Sequence, residues 1–279
     1  MPLIRYGLRT ENLELAALGA EIHRMNNGIV RVQDTPQMKR RLYGIFDQVP
    51  DLDGVQPPAF MQMPNLQVYA WRKGGLYMAI KGGCNGESHN HNDVGTFIVY
   101  ADGEPQVVDM GNMLYTAKTF GPERYTLPNT RSMNHNLPLI GGVEQCEGRE
   151  YCAKVIAAGE QGAELEIAGA YPKEAGILSV RRTFVPHENG VSLTDRIALG
   201  AEKPVDWVFM LREKPVCAEG EVRSGKLVLR HDPALAQTVT EIPTTDVRLA
   251  KNFPGSLWRV ALTAKPAAAF EQHFVIARS

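Results

Sequence analysis

From Leu66 onward the chain is a succession of short apolar or alternating runs, at 68–72, 76–80, 96–100, 106–108, 165–168, 178–185, 191–197, 207–211, 226–230, 257–262 and 273–277. Gly, Asn or Asp clusters bound them. Runs of this length, rich in branched and aromatic residues, read as strands. Turn signals about every ten residues, with no helical pattern between them, favour antiparallel pairing over a parallel α/β sheet. The expected fold class is mainly β, a large antiparallel β-sandwich with a short helical N-terminal segment. No fixed-period repeat or low-complexity tract interrupts it.

The helical part lies in the first fifty residues. Thr10 is placed to cap a helix carrying Leu13, Ala16, Ala17 and Ala20 at helical spacing, stopped by Asn26, Asn27 and Gly28. Thr35 before Pro36 opens a second helix with Leu42, Ile45, Phe46 and Val49 as its stripe. A breaker-rich stretch from Asp51 through Pro57 and Pro58 follows, and Pro64 with Asn65 closes it. The expected division is a helical segment and linker at 1–58 and a sandwich at 59–279. Two helices this short bury too little to stand alone, so they must lean on the sandwich or on something else.

Composition excludes several classes. The 279 residues include 44% apolar and 22% charged side chains, an ordinary globular balance. Thirty Lys and Arg against 31 Asp and Glu give a net charge of −1, so no basic field exists for nucleic acid or an acidic membrane. No apolar run approaches the ~20 residues of a membrane span, and residues 1–7 lack the apolar core of a signal peptide. Cys84, Cys146, Cys152 and Cys217 form no C-x-x-C pair and are read as free thiols.

The chemistry concentrates in one polar stretch. His89 and His91 stand two apart at the mouth of a strand, and on extended backbone such residues share a face about 6.6 Å apart. Asp109 ends the short run 106–108, and His135 precedes another apolar stretch. Two imidazoles and a carboxylate at strand ends suit zinc, with ligands at about 2.0–2.2 Å and water completing a tetrahedron. Asn90, Asn92, Asp93, Asn134 and Asn136 are candidates to orient the rings. The competing reading is a polar loop whose histidines are solvated or bonded to turn carbonyls.

Three elements in order add a resemblance. They are His89-x-His91-x-Asp93 opening an apolar strand that ends Tyr100-x-x-Gly103, then Asp109 shortly before Gly111, and Arg131-Ser132 with His135-Asn136 leading into a strand. Over residues 85–142 this resembles the C-terminal β-sandwich of the heparinase II/III-like polysaccharide lyases. The resemblance implies an N-terminal (α/α) toroid joined to the sandwich, with the active site between them. It maps His91, Asp109 and His135 onto a single, mainly structural zinc that braces the cleft wall. His89 maps onto a substrate-facing histidine, and Tyr125 resembles a substrate-facing tyrosine of some alginate-cleaving members.

The implied reaction is β-elimination on a uronic-acid polysaccharide such as alginate or a glycosaminoglycan. It needs a neutralised carboxylate, a base for the C5 proton and an acid for the departing O4. His89 suits the neutralising or base role because its pKa lies near neutrality. Arg131 and Asn136 are candidate carboxylate binders, and Tyr115 and Tyr125 candidate acids or stacking surfaces; packing roles compete for each. The implied partners are an acidic polysaccharide and an (α/α) toroid supplied separately or missing, with self-association into a homo-oligomer left open; nucleic acid and membrane are excluded. The family's principal catalytic tyrosine comes from the toroid, so the isolated chain is expected to be inactive. Members usually act in the periplasm or outside the cell, although residues 1–7 carry no export signal.

Two other readings compete. A catalytically silent carbohydrate-binding or scaffold sandwich would use Trp71, Trp207 and Trp258 as stacking platforms, against the alternative that all three are core residues. The His89-x-His91-x-Asp93 run also matches part of a two-metal hydrolase loop, with Val94 where that loop carries a further histidine. Lys118, Arg124 and Arg131 would form a basic rim or lie solvated.

Overall fold

A computed structural model describes residues 2–25, 52, 54–55 and 58–279 of the chain. Contacts divide it into two compact units, Met1–Ala59 and Phe60–Ser279. In the first, helices α1 (Pro2–Arg9) and α2 (Leu13–Met25) pack on each other through Ile4, Ala16, Ala17 and Ala20, while Leu13 is exposed. Small residues permit the approach, since a side chain at Gly19 would meet Ile4 at 2.8 Å. The cap of α2 is Asn12 rather than Thr10: Asn12 Oδ1 accepts from the Leu15 amide at 2.9 Å. The Thr10 hydroxyl turns back to the Tyr6 carbonyl at 2.8 Å and closes α1. The expected stop at 26–28 and the second helix from Thr35 lie outside the described residues.

The second unit is built of strands β1 (Phe60–Met63), β2 (Val68–Lys73), β3 (Leu76–Lys81), β4 (Cys84–Asn85), β5 (Phe97–Ala101), β6 (Glu104–Val107), β7 (Pro138–Ile140), β8 (Gly148–Cys152), β9 (Lys154–Gly159), β10 (Gly162–Glu166), β11 (Ile177–His187), β12 (Gly190–Leu211), β13 (Val216–Ala218), β14 (Glu221–Ser224), β15 (Leu227–Arg230), β16 (Ala236–Pro243) and β17 (Ser256–Arg278). The meander β1-β2-β3-β5-β6 forms one antiparallel layer. The other runs β9-β10-β11-β12-β17, with β16 and the β15-β14-β13 ribbon also on β17. Alternation along β3 and β5 sends Leu76, Met78, Ile80, Phe97 and Val99 into a core shared with Phe184, Leu193, Phe209 and Phe274 of the facing layer. Phe97 meets Phe184 and Phe209 edge-on, at centroid distances of 5.4 and 6.2 Å. The fold is the antiparallel β-sandwich expected from the sequence.

Runs 191–197 and 207–211 belong to one strand, and runs 257–262 and 273–277 to another. Gly200 in β12 lies in a register shift opposite Ala268 of β17, and Pro204 in a second one opposite Lys265 and Pro266. The breakers thus produce a shared bulge rather than two ends. Beyond it β12 is buried on both faces. Trp207, Phe209 and Leu211 enter the main core, while Val208 and Met210 join Val108, Met110 and Leu257 beneath a short helix, α3 (Val247–Asn252).

Trp71 and Trp207 are not sugar platforms. Trp71 and Trp207 are buried, and Trp71 donates its indole N–H to the Gly159 carbonyl at 2.9 Å. Trp258 packs against the core with the Lys214 ammonium 5.5 Å over its ring. Among the described residues no helix is long and apolar enough to cross a membrane.

Candidate metal centre and adjoining cleft

Packing aims the carboxylate of Asp109. Val108 and Met110 are both buried in the cluster beneath α3, so Asp109 between them points the opposite way. Its Oδ1 accepts from the Gly111 amide at 2.8 Å, closing a turn for which Gly111 supplies a φ of +72°. Its Oδ2 lies 2.7 Å from Nδ1 of the fully buried His135. The His91 ring stands 5.4 Å from that of His135, and one ligand atom from each of His91, Asp109 and His135 falls within 4.8 Å of the others.

This set fits a metal cation. His135 Nε2 sits 3.0 Å from the Asn129 carbonyl, which only accepts, so that nitrogen carries a proton. A neutral His135 then turns a bare Nδ1 lone pair toward a carboxylate, an arrangement that requires either a second proton or a metal ion between them. Carbonyl anchoring of the far nitrogen is how metal-binding imidazoles are oriented. Without a metal, burial would lower the His135 pKa, but the Asp109 charge and hydrogen bond outweigh it and hold the pKa above its ordinary value. Burial would raise that of Asp109, but His135 carries it well below the carboxylate range. Burial, followed by the charge of His135, lowers that of His91.

His89 and His91 do not share a face. His89 adopts a left-handed φ of +59°, which ends the extended geometry that would align them. His91 turns into the metal set, whereas exposed His89 stacks on Tyr115, its Nδ1 3.2 Å from the Tyr115 hydroxyl. The Arg248 guanidinium lies 5.2 Å over the other partner of that stack, the Tyr115 ring. His89, Phe120, Arg124, Tyr125 and Glu147 line a polar cleft of about 600 Å³. Tyr125 donates to Asn90 Oδ1 at 3.0 Å, and Arg124 donates to the Asn90 carbonyl at 2.7 Å. Ser132 and the Asn92–Thr130 backbone bond tie this segment to the histidine loop.

Other expected site residues are committed elsewhere. Asn136 is fully buried: its amide donates to Phe97 and Val108 carbonyls at 2.7 and 2.9 Å and accepts from the Met210 amide at 2.7 Å. It has nothing left for a substrate carboxylate. Arg131 pairs with Glu144, its Nε 3.0 Å from Oε1, and is not among the cleft-lining residues. Asp93 is held by Lys81 at 2.6 Å, which removes it from a two-metal loop. None of the five residues expected to orient the rings does so. That place belongs to Asn129, whose backbone serves His135 and whose Nδ2 lies 3.3 Å from His91 Nε2. A proline-started turn six residues before His135 was its one trace in the sequence.

The sequence model of the family described as heparinase II/III-like, C-terminal, matches residues 55–259, well over half the chain. The chain belongs to this family. No curated protein sequence matches it. Solved structures with a similar fold include a heparinase III (TM-score 0.61, 17% identity, covering 76% of this chain and 35% of that one). A heparinase III with methylated lysines gives a TM-score of 0.65 at 13% identity, covering 87% and 40%. The heparan sulfate lyase HepC from Pedobacter heparinus gives 0.61 at 16% identity, covering 94% and 41%. This heparinase II/III-like chain therefore spans about two fifths of the length of the structures it resembles. Within the family domain, Arg124 and Phe120 were missed or discounted in the sequence because an isolated arginine or aromatic in a loop carries no signal of the cleft it lines.

Proposed function

We propose that this chain is the β-sandwich part of a polysaccharide lyase that cleaves a uronic-acid-containing polysaccharide by β-elimination. The observation that carries the reading is the pairing of a partly buried His91–Asp109–His135 set with an open polar cleft presenting His89 and Tyr125, in a chain of the heparinase II/III-like family. In this proposal His91, Asp109 and His135 hold one zinc ion, which supplies rigidity to the cleft wall. His89 neutralises the substrate carboxylate or takes the C5 proton, with Tyr115 fixing its ring through the 3.2 Å contact. The Tyr125 hydroxyl protonates the departing O4, and the Arg124 guanidinium beside it adds positive charge where the enolate develops. An (α/α) toroid completes the site, and helices α1 and α2 are a remnant of such a segment.

The test is incubation of the purified chain with alginate, heparan sulfate and hyaluronan, following binding and the ultraviolet absorbance of unsaturated product. Saturable binding to an acidic polymer without product is expected, and binding should be lost in Arg124→Ala. Product from the chain alone would overturn the two-part site. Equal binding to neutral polymers would overturn the substrate class.

A further inference from the structure

Cys84 and Cys152 stand directly opposite each other in the two-stranded β4–β8 sheet. The Ala153 amide donates to the Gly83 carbonyl at 2.9 Å, so the ladder bond falls one residue outside the pair. Cys84 and Cys152 therefore occupy a non-hydrogen-bonded position, where Cα atoms are about 4.5 Å apart and side chains come closest. A disulfide bridges Cα separations of roughly 4.4–6.8 Å. The Cys152 thiol donates to the Arg149 carbonyl at 2.7 Å, and both cysteines are partly accessible. Cys146 and Cys217 lie outside the β4–β8 ladder, and Cys217 is exposed on β13.

We propose that Cys84 and Cys152 are a redox-active pair that closes into a cross-strand disulfide by exchange with a small-molecule disulfide. One thiolate attacks the oxidant's S–S bond, giving a mixed disulfide and releasing one thiol. The other attacks the protein sulfur, forming the Sγ–Sγ bond and releasing the second thiol. Two protein thiols are oxidised as one external disulfide is reduced, and the protons pass to the released thiols. Burial and the contact with Cys84 push the Cys152 thiol up to about 11, so closure accelerates as pH rises above neutrality.

The bond has a mechanical consequence. Asn85, next to Cys84, donates to the Gln145 side chain at 3.1 Å and the Cys146 carbonyl at 2.9 Å, and accepts from the Asp93 amide at 3.2 Å. A disulfide at Cys84 would pin the root of the loop carrying His89 and His91 to β8, which otherwise holds it through two residue pairs.

The experiment treats the folded chain with oxidised glutathione at mildly alkaline pH, alkylates remaining thiols, and analyses a non-reduced tryptic digest. Trypsin separates Cys84 (peptide 82–118), Cys146 (132–149) and Cys152 (150–154). Accessible thiols should fall from four to two, with peptide 82–118 linked to 150–154 and the link reversed by reductant. Cys146→Ser should leave the link intact and Cys152→Ser should abolish it. A link through peptide 132–149, glutathione adducts that never resolve, or four alkylatable thiols after treatment would each overturn the proposal.

Discussion

At the scale of single residues, Asp109 and Asn136 separate two kinds of buried polar group. Asp109 faces an imidazole Nδ1 whose ring is already anchored at Nε2, so its charge is matched by either a second proton on that ring or a bound cation. In Asp109→Asn the affinity for zinc should fall at least about 100-fold, beyond the range of 10–100 typical for groups that only orient ligands, as read by competition with a chromogenic chelator. Asn136→Ala should leave that affinity unchanged. It strands two carbonyls and an amide in the core, at about 1–3 kcal/mol for each unsatisfied group. The urea midpoint should drop by an amount equivalent to roughly 3 kcal/mol or more. A normal midpoint with lost polysaccharide binding would instead make Asn136 a substrate residue.

Elements position the exposed half of the site. The cap of α3, Asp246, accepts from the Arg248 and Leu249 amides at 2.9 and 3.0 Å and also from Leu114, next to Tyr115, at 3.1 Å. Burial would raise its pKa, but these amides and the Arg248 charge outweigh that and lower it. A carboxyl whose folded pKa is depressed contributes stability above its unfolded pKa and loses it as pH falls through the folded value. Asp246→Ala should cost about 1 kcal/mol at pH 7, and the gap to the unmodified chain should close as pH drops below about 4, measured by chemical denaturation across pH. Strands with one buried face were legible because alternation survives there, as in β3 and β5. Strands β1, β8, β9, β13 and β16 carry no buried residue, so burial wrote no alternation into them. The rest of what escaped was non-local. The joined bulge of β12 and β17 looks like two strand ends in each sequence, since a glycine and a proline acquire their meaning only from the partner strand. The metal set was reached through motif resemblance. The parting of His89 from His91 rests on one left-handed φ, which a histidine does not announce.

For the whole molecule, the candidate metal centre draws together three segments far apart in the chain: the loop before β5, the exit of β6 and the turn before β7. The unfolded chain cannot hold these three groups in one place, so an ion bound there favours the folded state by RT ln(1 + [M]/Kd), about 2.7 kcal/mol at a hundredfold excess over Kd. The sandwich has its own core, including a buried Arg182–Asp195 pair at 2.9 Å whose guanidinium also donates to the Gly95 and Asn136 carbonyls at 2.8 and 2.7 Å, binding the site loops to β11. Residues 60–279 alone should therefore unfold cooperatively, with a Tm about 5–10 °C higher with zinc than after chelation, taking ~2–4 °C per kcal/mol for a domain of this size. Asp109→Asn should erase the difference while unfolding as cooperatively as the chelated chain. An equal rise in that variant would place the ion elsewhere, and no rise in either would reduce His91, Asp109 and His135 to a proton-bridged polar cluster.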